Sequence, residues 1–134
     1  MMSPEMNRWQ MALVNSFQGT GQLAARGVRY FSSLPSSYQG VNMCCLGVCL
    51  HANGAEIKDL IGLGMPKSYH LRCGNEHMMP IDRTIQNALS DLNDEGLSHR
   101  IIRELLIDFV LTGDPTEIMN LSKNYFSFVK VYGK

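Results

Sequence analysis

At 134 residues and 45% apolar content, the chain is long enough to close one hydrophobic core and too apolar to remain disordered. Twelve basic residues balance twelve acidic ones, which argues against a surface that tracks nucleic-acid phosphates. No run reaches the ~18 apolar residues of a membrane span; the longest, 41–52, is interrupted by Asn42, Gly47 and His51.

In chain order, Ser3-Pro4-Glu5 spells a helix start. Ser3 can accept from orphan N–H groups, Pro4 suits the first turn, and Glu5 complements the helix dipole. Met6, Trp9, Leu13 and Phe17 then share one face, and Gly19 and Gly21 end the helix. Residues 23–34 read as a second helix, favoured by Ala24, Ala25 and Arg26, weakened by Gly27, and stopped before Pro35. Residues 41–52 are apolar on every side, so periodicity cannot choose between helix and strand; length favours a buried helix. Residues 55–63 read as a helix with Ile57, Leu60 and Ile61 on one side, ended by Gly62, Gly64 and Pro66. Residues 66–80, bounded by prolines, read as irregular.

Beyond Pro80 the pattern sharpens. Ile81, Ile85, Ala88, Leu89 and Leu92 form one helical stripe, broken at 93–96. Ser98 can cap the next helix, whose wide apolar stripe is Ile101, Ile102, Leu105, Leu106, Phe109 and Val110. Arg100, Arg103, Glu104 and Asp108 oppose it, and Gly113 closes it. Asp114-Pro115-Thr116-Glu117 opens a last helix carrying Ile118, Leu121, Tyr125, Phe128 and Tyr132. The expected fold is all-α: one domain over 1–134, a single compact bundle of about six helices around a buried central helix.

Seven of the eight Cys and His residues fall between Cys44 and His77. The adjacent Cys44 and Cys45 make a poor disulfide framework and point to reduced, intracellular thiols. Zinc asks for four N or S ligands, which Cys45, Cys49, His70 and Cys73 could supply. The same cysteines sit in an apolar run, where a free Cys behaves as a small hydrophobe. A cysteine nucleophile would need a base and an orienting partner, and His51, His70 and His77 offer only sequence proximity. Gly62-x-Gly64 marks a helix end, not a phosphate loop after a strand. The chain reads as a non-enzyme with no cofactor. Nine methionines are present; Met43, Met65, Met78 and Met79 are the candidates for an adaptable peptide-binding surface. The segment 6–55 lacks acidic residues, and Arg29-Tyr30-Phe31-Ser32-Ser33 is similar to a mitochondrial presequence cleavage site.

The string Asn87-Ala88-Leu89-Ser90-Asp91-Leu92-Asn93-Asp94-Glu95-Gly96-Leu97-Ser98-His99-Arg100-Ile101-Ile102 resembles the Bcl-type (B-cell lymphoma-two) family of apoptosis regulators. Leu92 stands for the Leu that ends one family helix, Glu95-Gly96 for an acidic-Gly pair, and Leu97 for the aliphatic residue after it. Ser98-His99-Arg100 stands, one residue short, where the family carries Asn-Trp-Gly-Arg. Ile101-Ile102 opens the helix that is central in that family. Leu60-Ile61-Gly62-Leu63-Gly64 and, less closely, Leu23-Ala24-Ala25-Arg26-Gly27 are similar to the family's Leu-x-x-x-Gly-Asp helix, without its Asp.

The resemblance implies a non-enzymatic, anti-apoptotic binder that takes the amphipathic helix of a pro-apoptotic protein into a hydrophobic groove, as a degenerate viral member of the family would. By motif position, Arg100 would pair with the ligand's Asp. Ala88, Leu92, Ile101, Leu60 and Leu63 would line the cleft, with Asp91 at its rim. The chain would be cytoplasmic and mitochondria-associated, without nucleic-acid partners or an integral membrane segment; homo-oligomerisation stays open. The alternatives are a zinc-stabilised protein-binding module and a mitochondrial accessory protein with a presequence-like N-terminus.

Overall fold

The computed structural model describes residues 3–26, 41–74 and 79–124. Among them are seven helices and one pair of short strands, a mainly helical bundle. The presequence-like residues 29–33, His77, Met78 and the aromatic residues beyond 124 lie outside the described residues.

Helix α1, Pro4–Leu13, starts as its sequence dictates: the Ser3 hydroxyl accepts from the Met6 N–H at 3.1 Å. It buries Met6, Trp9, Gln10 and Leu13. The Trp9 indole N–H, fully buried, donates to the Cys45 carbonyl at 2.9 Å and so ties α1 to helix α2, Cys45–Ala52.

All residues from Cys45 to Leu50 are buried. This helix is the centre of the bundle, and Leu46, Val48 and Leu50 each contribute roughly 1.5–3 kcal/mol relative to exposure. The helix that opens with Ile101-Ile102, central in the family that the sequence resembles, is instead a flank. Gly47 is where α2 crosses the segment leading into the first strand: a Cβ there would lie 1.8 Å from the Leu23 carbonyl oxygen. No side chain fits that crossing.

The helix expected over 23–34 is overturned in its described part. Strand β1, Ala24–Arg26, pairs antiparallel with β2, Val41–Met43, in the register Ala24↔Met43 and Arg26↔Val41. The Leu23 N–H donates to the Leu63 carbonyl at 2.6 Å, and the Ala24 carbonyl accepts from the Gly62 N–H at 3.1 Å. Residues 23–26 are therefore held between two extended neighbours, and these long-range hydrogen bonds override alanine's helix preference. Residues 41–52 likewise divide into β2 and α2, with the Cys44 thiol capping the helix through the Gly47 N–H at 3.4 Å.

Helix α3 is a single turn, Ile57–Leu60, shorter than the 55–63 helix expected, because Ile61 turns extended to join the strands. The stretch expected to be irregular holds helix α4, Pro66–Cys73, with Pro66 at its first position and Gly74 left-handed (φ +67°) at its end. Helix α5, Arg83–Asp94, is capped by Asp82, whose carboxylate accepts from the Ile85 N–H at 3.0 Å. Helix α6, His99–Thr112, is capped by Ser98 and closed by Gly113 at φ +70°. Helix α7, Thr116–Lys123, follows an Asp114 whose carboxylate accepts from the Thr116 N–H at 2.9 Å; α7 packs on α5. No described helix is long and apolar enough to cross a membrane.

Candidate functional site

The cleft implied by the family resemblance is filled. Ala88 and Leu92 occupy the inner face of α5 and are buried, as is Leu60. Ile101 and Leu63 are half-buried and pack against the core. Asp91 and Arg100 are exposed, and among the described residues no hydrogen bond or ion pair engages the Arg100 guanidinium. Hydrophobic burial explains the outcome: the stripe Ile85, Ala88, Leu89 and Leu92 that would wall a trough closes on the core instead.

His99, at the start of α6, is buried. Its Nε2 lies 3.2 Å from the Asn93 Oδ1, and its Nδ1 lies 2.9 Å from the Ser16 hydroxyl. Asn93, fully buried, accepts from the Cys45 N–H at 3.0 Å through the same Oδ1 and donates to the Gly19 carbonyl at 2.8 Å. Because the Asn93 oxygen only accepts, His99 must carry its proton on Nε2, and the Ser16 hydroxyl then donates to Nδ1. Gln18 completes the cluster, donating to the Leu97 carbonyl at 2.6 Å and accepting from the His99 N–H at 3.3 Å.

A hydroxyl, an imidazole and an amide in a row invite comparison with a nucleophile and its base. The chemistry differs. Burial pushes His99 down from 6.5 to about 4, far from the poise of a general base at neutral pH. Both ring nitrogens are engaged within the fold. The cluster acts as a clasp that joins the end of α1, the start of α2 and the α5–α6 corner. Asn93 and His99 had no apolar periodicity to mark them; the only sequence signal was their place at a helix break and a helix start.

The cysteines of the alternative zinc reading do not assemble with His70. Cys45 and Cys49 are fully buried in α2, His70 is half-buried on α4, and Cys73 is exposed at the end of α4. Among the described residues no group of three His, Cys, Asp or Glu side chains converges as a metal site. Desolvation pushes Cys44 up to about 11 and raises Cys45 and Cys49 as well, so these three thiols are held neutral in the core. Met43 is also buried completely, as core filling.

A concave surface among the described residues lies elsewhere. An open-sided groove of about 470 Å³ runs between α4 and the start of α5, a size within the usual range of ligand clefts. Its apolar lining is Met65, Leu71, Met79 and Ile81. Leu71 is a large apolar side chain that stays 77% exposed. Lys67, His70 and Leu71 reach the groove at helical spacing from α4, as do Asp82, Arg83 and Gln86 from the start of α5. Two of the methionines singled out from sequence, Met65 and Met79, thus meet at this surface, although no spacing rule linked them. Comparison of the chain with protein-family models, with curated proteins and with solved structures finds no match.

Proposed function

We propose that this protein is a non-enzymatic binding module that receives an amphipathic helix in the groove between α4 and α5. The observation that carries this reading is the groove itself, lined by exposed Leu71, half-buried Met65 and Met79 and, at its base, buried Ile81. Flexible thioethers adapt to different apolar anchors, and a helix presenting residues at i, i+3 and i+4 suits a cleft of this kind. The resemblance of residues 87–102 to apoptosis regulators supplies the partner class, the amphipathic helix of a pro-apoptotic protein. In this reading the binding surface is the α4–α5 groove and not the α5–α6 surface, whose apolar residues are spent on the core.

The test is a titration of the full chain with a panel of amphipathic helical peptides, pro-apoptotic sequences included, followed by fluorescence anisotropy. Saturable binding that Leu71→Asp abolishes supports the reading. Folded protein that binds none of the panel up to roughly tens of micromolar ends it.

A further inference from the structure

The groove carries a charge pattern beside its apolar floor. Lys67 and Arg83 line it from its two sides, both exposed. Neither forms an ion pair among the described residues. Among the described lining residues the one carboxylate is Asp82, which keeps its charge while it caps α5 by accepting from the Ile85 N–H at 3.0 Å. Gln86 is likewise occupied, donating to the Ile81 carbonyl at 2.9 Å. The start of α4, at Met65 and Pro66, has no side-chain cap and faces the same space, which adds the positive end of a helix dipole to the two cations. Among the described residues, an apolar lining with two cations that form no ion pair against one carboxylate defines the complement: a helix with an apolar stripe flanked by carboxylates.

We propose that the groove selects an acidic amphipathic helix, with Lys67 and Arg83 as the residues that read its carboxylates. This rests on the binding reading above and adds the sign of the partner's polar face. Lys67 and Arg83 sit at the rim, so their contribution falls on selectivity and association rate more than on total affinity. Arg100 has no part in it.

Two designed helical peptides test the proposal, with the same leucine face and either Glu or Lys over the polar face. Their affinities for the full chain are measured at low and at high salt. The expected result is that the Glu peptide binds about tenfold tighter at low salt and that the preference shrinks as salt screens it. Lys67→Glu with Arg83→Glu should reverse the preference, while Arg100→Glu leaves it unchanged. Circular dichroism confirms that each variant is folded. Equal binding of both peptides, or a preference for the Lys peptide, overturns the selectivity and leaves the groove reading standing. Binding of neither peptide overturns both. Sedimentation that shows a self-association broken by Leu71→Asp would assign the groove to a second copy of the chain and overturn the proposal. Binding to anionic vesicles in place of the Glu peptide would do the same.

Discussion

The α5–α6 corner and the α4 edge both contain polar side chains beside apolar ones, yet they dispose of them in opposite ways. At the corner, Asn93, His99, Ser16 and Gln18 form hydrogen bonds that tie together the backbone of three separate segments. At the edge, Lys67 and Arg83 have no partners of opposite charge among the described residues, and Leu71 is exposed. A polar group consumed inside the fold fixes geometry, because breaking its bonds in a low-dielectric interior is costly. A charge left beside exposed apolar surface is free for something outside the chain. That difference, more than the identity of any residue, separates the scaffold from the surface proposed for recognition.

The comparison can be broken at several points, with effects of graded size. The largest is Gly47→Ala. A methyl 1.8 Å from the Leu23 carbonyl oxygen forces α2 off the strand it crosses. We expect a loss of more than about 4 kcal/mol, or failure to fold, read by urea denaturation and by soluble yield. Asn93→Leu follows. It removes the acceptor for the Cys45 N–H and the donor to the Gly19 carbonyl, and leaves His99 Nε2–H unmatched in the core. The expected cost is roughly 3 kcal/mol, measured as a shift in denaturation midpoint.

Acid acts on the same clasp. The folded protein holds His99 at about 4, below its ordinary value of 6.5. Above pH 6.5 the ring is neutral in both the folded and unfolded states, and its stabilising bonds are intact. As pH falls from 6.5 toward 4, the unfolded chain takes up a proton that the fold excludes. Stability then drops by about 1.4 kcal/mol per pH unit, and by roughly 3 kcal/mol across the window. Below 4 this group contributes no further loss. Unfolding curves at a series of pH values should show that slope in the wild type, and His99→Gln should flatten it.

Ser98→Ala removes the acceptor for the Ile101 N–H and should cost about 1 kcal/mol, read by thermal denaturation. The smallest effect on stability belongs to the edge. Leu71→Asp should change the denaturation midpoint by less than about 0.5 kcal/mol, because the side chain is exposed. A large destabilisation by Leu71→Asp would mean that the Leu71 face of α4 belongs to the scaffold, as its buried Tyr69 does, and the contrast between the two regions would collapse.

Elements governed by neighbours in sequence were legible. Ser3 and Ser98 cap their helices, Gly113 closes α6, and the stripes of α5 and α6 face the core as their spacing requires. Elements governed by distant partners were not. Ala24-Ala25-Arg26 favours helix locally and becomes a strand because Met43, Asn42 and Val41 lie alongside it. The prolines around 66–80 suggested irregular chain, but Pro66 is the first residue of a helix, a position where its missing N–H costs nothing. The candidate site divides the same way. Met65 and Met79 were legible as adaptable apolar side chains, whereas their meeting with Leu71, Lys67 and Arg83 was not.

By itself, the order of residues determined that this protein is a mainly helical, charge-balanced domain with no membrane-crossing helix among the described residues, and it determined where several of its helices begin and end. Those properties follow from composition, caps and 3.6-residue periodicity, which act over one or two turns. Only the tertiary structure decided that α2 is the centre, that Leu92 and Ala88 are sealed inside while Arg100 is exposed, and that an open groove with apolar lining lies beside α4. Burial is settled by what packs against a residue, and in this fold the decisive neighbours come from segments tens of residues apart, Trp9 with Cys45 and Ser16 with His99 among them.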